Sequence, residues 1–128
     1  MFTSDDATTV STYFAAFKNT PPVILDVGQN TAQEAYILID GCGLSIGKHL
    51  RPAQQVISKR FVPGYVYLVY DHNGEDDGNE YKDFGSAIKA AMLAYAAEMF
   101  RRTNDQLATA AQAADFALDK QTLKGDGQ

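Results

Sequence analysis

Cys42 is the most reactive side chain in the sequence, standing between Gly41 and Gly43, and its thiol becomes a nucleophile only when a base makes the thiolate. The chain offers just two histidines for that task, His49 and His72, and neither falls at a spacing that local structure would bring beside it. Cys42 therefore reads as a small turn residue, and no catalytic residue is assigned. The same count works against zinc, since a closed site needs four ligands. Calcium is the better test, because residues 71–83 hold Asp71, Glu75, Asp76, Asp77, Glu80 and Asp83 against Lys82. A twelve-residue calcium loop begun at Asn73 puts Glu75 and Asp77 third and fifth and Gly78 sixth. Its twelfth position falls on Phe84, where a bidentate Glu is required. No metal is expected, and the stretch reads as a solvated, acidic loop.

Phosphate chemistry has one candidate, Gly41-Cys42-Gly43-Leu44-Ser45-Ile46-Gly47-Lys48. In the G-x-x-x-x-G-K pattern the first glycine would fall on Cys42, and His49 occupies the place of the magnesium-binding Ser or Thr. Val23-Ile24-Leu25-Asp26-Val27-Gly28 resembles the first motif of Rossmann-type methyltransferases, a strand ending in an acidic residue and a glycine turn. Asn30 stands where that motif has its second glycine, and the chain is short for a doubly wound sheet, so the function is not carried over. No cofactor is expected.

Charge is segregated along the chain. The net charge is -5, and residues 1–40 carry Asp5, Asp6, Asp26, Glu34 and Asp40 against Lys18. Residues 41–70 hold Lys48, Arg51, Lys59 and Arg60 and no acid at all. An acidic surface repels a polyanion, so direct nucleic-acid binding is not expected. If residues 48–60 are helical, Lys48, Arg51, Gln55 and Lys59 share one face and form a cradle for an acidic partner. Glu75, Asp76, Asp77 and Glu80 would steer a basic one. Tyr36, Tyr65 and Tyr67 offer rings for stacking, or half-buried packing on strands.

These residues need elements to position them. Val10, Tyr13, Phe14 and Phe17 recur at helical spacing, predicting a helix over residues 4–18 capped by Thr3 or Ser4 and stopped by Asn19-Thr20-Pro21-Pro22. Residues 23–27 and 35–39 read as strands, and Asp40-Gly41 turns the second into residues 43–46. Residues 52–61 suit a helix opening at Pro52, or a strand turned at Val62-Pro63-Gly64-Tyr65. The helix is the expectation. Residues 65–70, apolar or aromatic on both faces, read as a central strand. Beyond the cap Asp83, a stripe of Phe84, Ile88, Met92, Tyr95 and Met99 makes a helix that covers a sheet face.

The architecture expected is α+β: a mostly antiparallel sheet of three to four strands against a long C-terminal helix, with an N-terminal helix. The 128 residues suit one domain, with a core over 1–102, an Ala-rich helical extension over 103–121 and a frayed tail over 122–128. No apolar run spans a membrane, no basic apolar leader opens the chain, and the lone cysteine suits a reducing compartment, so a cytoplasmic protein is expected.

A second stripe on the last helix has no role in that core. Leu93, Ala97, Phe100, Asn104, Leu107, Ala111, Ala114 and Leu118 are spaced 4, 3, 4, 3, 4, 3, 4, a heptad seam with Asn104 at one a position. It predicts a homodimer if the helix is continuous. If Thr103-Asn104-Asp105-Gln106 is instead a capping box, the chain breaks there and folds back. With the enzyme motifs incomplete, the expectation is a non-catalytic protein-binding module. By analogy with small acidic phage and mobile-element proteins, it extends to an inhibitor of a host nucleic-acid-handling protein. The alternatives are a structural homo-oligomeric subunit, and a small enzyme or nucleotide-binding domain using residues 41–47.

Overall fold

The computed structural model describes residues 1–55 and 61–126. It is an α+β fold in the order α1 (Ser4–Phe14), β1 (Val23–Asn30), β2 (Glu34–Ile39), β3 (Leu44–Gln55), β4 (Phe61–Tyr70) and α2 (Phe84–Asp126). The chain divides into two compact units, Met1–Tyr95 and Ala96–Gln128; α2 begins in the first and continues in the second.

In the first unit, α1 starts where its sequence supplies a complete capping box. The Thr3 hydroxyl accepts from the Asp6 amide at 3.2 Å and the Asp6 carboxylate accepts from the Thr3 amide at 2.8 Å. The helix stops at Phe14, short of Lys18. Its end tightens instead into three-residue turns, Ala16 amide to Tyr13 carbonyl and Phe17 amide to Phe14 carbonyl, which carry the Phe17 ring onto Tyr95 at 4.7 Å. Val10 and Phe14 are fully buried, whereas Tyr13, expected on the same face, is exposed.

The sheet is an antiparallel meander in the order β1-β2-β3-β4. Its register follows from alternation. Ile37 pairs with Ile46, Ile39 with Leu44 and Ile46 with Val69, so the apolar residues of three strands share one face and are buried there with Ala87, Ile88 and Ala91 of α2. Asp83 caps α2, its carboxylate accepting from the Ser86 amide at 2.8 Å, which holds the Asp83 carboxyl below its ordinary range. The first α2 ring, Phe84, then stacks on Tyr67 of β4 at 5.5 Å and lies 5.3 Å from Phe2. In the first unit the stripe expected on this helix is the one that faces inward: Ile88 and Tyr95 are buried and Phe84 and Met92 half-buried; Met99, in the second unit, is half-buried.

Two expectations are overturned. The helix expected over residues 52–61 is absent from its described part, because β3 runs on through Gln55. Ser45, Gly47, His49 and Arg51 alternate with Ile46, Lys48 and Leu50 at the two-residue period of a strand. Pro52 sits in the register shift between Arg51 and Gln54, a place where its missing amide costs no ladder bond. Val62-Pro63-Gly64 is inside β4 and makes no turn; the connection from β3 lies outside the described residues. The second correction concerns residues 65–70, which form an edge strand and not a central one. Their apolar character is explained by partial cover: Tyr67 exchanges both backbone hydrogen bonds with Tyr81, at 2.8 and 2.9 Å, and the Asp77 amide donates to the Val69 carbonyl.

Candidate interaction surfaces

The acidic loop is therefore a folded strap along the β4 edge. Its carboxylates close its own turns. The Asp71 carboxylate accepts from the Asn73 and Glu75 amides at 2.8 and 3.1 Å, that of Asp76 from the Gly78 amide at 2.8 Å, and that of Asp77 from the Asn79 amide at 3.0 Å. Asp77 also accepts from the Tyr81 hydroxyl at 2.6 Å, and that bond is the first cause of the raised Tyr81 pKa. Glu80 pairs with Arg51. Of the four loop residues expected to meet a partner, Asp76, Asp77 and Glu80 are thus engaged within the chain. A pocket of about 110 Å³ lies between this loop, Val69 and Ala94, smaller than the roughly 300 Å³ at which ligand pockets begin. Among the described residues, no group of three His, Cys, Asp or Glu side chains is placed to hold a metal ion.

The basic set is not a stripe. On a strand, residues an odd number of positions apart point to opposite faces, so Lys48 lies on the inner face and Arg51 on the outer. Lys48 Nζ sits 4.5 Å from the Tyr65 ring, 5.8 Å from Phe2 and 5.9 Å from Tyr67, a cation held by aromatic faces. Arg51 is taken by Glu80, and Lys59 lies outside the described residues. The cradle for an acidic partner, which needed one helical face, is lost with the helix.

The tyrosines divide in the same way. Tyr65 and Tyr67 hold Lys48 on the inner face, while Tyr36 joins His49 and Tyr70 on the outer face, with ring centroids 5.6 to 6.0 Å apart. Sequence reasoning missed this trio, although the cross-strand positions of Tyr36 and Gly47 in a β2-β3 hairpin would have revealed it. The Tyr70 hydroxyl lies 2.8 Å from His49 Nε2, and the Tyr36 hydroxyl donates to Glu34. Burial, then this carboxylate, pushes the Tyr36 phenol well above its usual range.

The glycine loop turns the β2-β3 hairpin. Gly41 and Gly43 have φ of 91° and 72°, the left-handed region glycine enters without strain, and Cys42 between them is buried with its thiol 3.6 Å from the Ile39 carbonyl. Gly47-Lys48 lies inside β3, where a phosphate loop would open a helix.

The seam is the remaining surface. The α2 helix passes through Thr103 without a break, and the Thr103 hydroxyl bonds back to the Met99 carbonyl at 2.9 Å instead of capping a new helix. Arg101 and Arg102 both grip Glu98, at 2.7 and 2.9 Å, and Arg101 also reaches Asp105 at 2.8 Å. These bonds pull the Glu98 carboxyl down to about 2. Leu93, in the first unit, is 74% exposed; in the second, Phe100 is 69% and Leu107 62% exposed. Ala97, Asn104, Ala111 and Ala114 are exposed as well, and the side chain of Leu118 lies outside those described. No described helix is long and apolar enough to cross a membrane. No family model, curated protein or solved structure matches this chain.

Proposed function

We propose that this chain is a binding protein that acts by association and not by catalysis, and that its binding element is the α2 seam, which pairs with a second copy of the chain. The carrying observation is the exposure of every residue from 100 to 114 along an unbroken helix that bears Phe100 and Leu107 on one line. A helix in water draws most of its stability from packing an apolar face, and among the described residues those from 100 to 114 are all exposed. The spacing of that line is the heptad spacing of a helix pair. The inhibitor reading leaned on the acidic loop and the basic set, whose charges are largely spent within the chain, so neither surface favours it over self-association.

The full chain carrying Leu107→Glu tests the reading. Burying one Leu contributes about 1.5 to 3 kcal/mol. A symmetric dimer buries two, so the substitution should raise the dissociation constant by roughly a hundredfold to ten-thousandfold. Size-exclusion chromatography with light scattering should show the wild type as a dimer and the variant as a monomer at the same concentration, with unchanged far-ultraviolet circular dichroism at high protein concentration. Equal masses for the two would remove the seam from the account.

A further inference from the structure

Asn73-Gly74, in the strap along β4, is the one Asn-Gly step in the sequence. We infer that Asn73 is a site of spontaneous covalent modification, at which the carboxamide closes onto the Gly74 nitrogen in the folded chain and reopens as an acid. That closure needs an exposed carboxamide held by nothing else, a following residue without a side chain, and a main chain with room to turn. All three meet here. Asn73 lies in the exposed run over residues 72–80, and the Asp71 carboxylate holds only its main-chain amide, at 2.8 Å; among the described residues its carboxamide makes no hydrogen bond. Gly74 has a φ of 76°, and a Cβ there would meet nothing within 4 Å, so the nitrogen is approached through open space. The other asparagines lack at least one of these features. Asn30 is clasped to the Phe2 backbone by both ends of its carboxamide, at 2.7 and 2.8 Å, and precedes the β-branched Thr31. Asn19 also precedes a threonine, and Asn79 precedes Glu80. Asn104 lies within α2, where the amide of the next residue is tied into the helical ladder.

The step balances with water alone. The Gly74 amide gives its proton to hydroxide and its nitrogen bonds to Cγ of Asn73, while the Cγ–Nδ2 bond breaks and ammonia leaves with a proton taken from water. Water then opens the five-membered imide. Cleavage of the new N–Cγ bond leaves aspartate with the main chain as it was, and cleavage at the Asn73 carbonyl carbon leaves isoaspartate, with the main chain routed through Cβ and Cγ. One bond opposes the closure, since the Gly74 amide donates to the Asp71 carbonyl at 3.0 Å. Gly74 is exposed, so opening that one bond slows the reaction by about tenfold and does not stop it. Either product adds one negative charge to the strap. Isoaspartate also lengthens by one atom the turn that the Asp71 carboxylate closes with the Asn73 and Glu75 amides.

Ageing the full chain in mildly alkaline buffer, beside a synthetic peptide of residues 70–78 as a clock, tests this. Intact mass and peptide mapping report the acid form, and methyl transfer by an isoaspartyl methyltransferase reports the isoaspartate share. The full chain should gain the acid at residue 73 at a rate within about tenfold of the peptide's, part of it as isoaspartate, and faster as pH rises. Asn73→Gln, whose closure would need a six-membered ring, should gain none over the same time, with circular dichroism equal to that of the unaged wild type. A wild-type chain still wholly in the amide form when the peptide has converted completely overturns the inference. Acid that appears first at another asparagine, or equally in Asn73→Gln, overturns it as well.

Discussion

Gly43 shows how a single residue holds the hairpin. Its φ is 72°, and a Cβ there would lie 2.5 Å from the His72 Cβ and 2.9 Å from the His72 Cα, which is backbone and cannot swing aside. Gly43→Ala should cost about 2 to 4 kcal/mol from left-handed strain plus overpacking. Gly41→Ala, equally left-handed at φ 91° but facing open space, should cost only about 1 to 2 kcal/mol. Calorimetric melting of the two variants checks the ordering. The turn was legible in the sequence because Asp40-Gly41 follows an apolar strand. The close approach of His72 was not, since it joins residues distant in sequence. Glu98 makes a second residue-scale prediction. Its folded pKa of about 2 lies below the ordinary 4.5, so the grip of Arg101 and Arg102 stabilises α2 fully above pH 4.5 and is lost as pH falls through 2. Glu98→Gln should lower helicity by a constant amount above pH 4.5, and the gap from wild type should close between pH 4.5 and 2 when followed by circular dichroism.

At the scale of elements, the strands and helices with a clear period were legible and the element with a mixed one was not. Residues 84–99 carry a four-and-three apolar stripe, and α2 buries Ile88 and Tyr95 of it and half-buries the rest. Residues 46–57 fit two patterns in succession, with no break between them. Ile46, Lys48 and Leu50 alternate as a strand, yet Pro52 followed by Ala53, Val56 and Ile57 has helical spacing. The strand wins because β4 pairs with it from Ser45 to Gln55 and Lys48 finds three aromatic rings, neither visible from a local window. The loop over residues 71–83 is exposed over residues 72–80 as expected, while its hydrogen bonding to the β4 edge joins residues that a local window does not bring together. Its carboxylates answer backbone amides and Tyr81, so its contribution is to the β4 edge. Asp77→Ala removes the acceptor of the Asn79 amide and the Tyr81 hydroxyl. A loss of about 1 kcal/mol there should speed exchange of the Tyr67 and Tyr81 amides roughly fivefold, with the β2-β3 amides unchanged.

For the whole molecule, fold class followed from the order of periods along the chain, and the sheet order did not, because nothing local tells a central strand from an edge strand whose edge is strapped by a loop. The seam was legible as spacing, while the choice between a broken and a continuous helix needed the Thr103 hydroxyl, which bonds back along the helix and caps nothing. Self-association is the central claim, and sedimentation equilibrium of the full chain between micromolar and high micromolar concentration measures it directly. The expected result is a mass of twice the 14.0 kDa chain, falling toward one chain on dilution. A single-chain mass throughout that range would contradict the account.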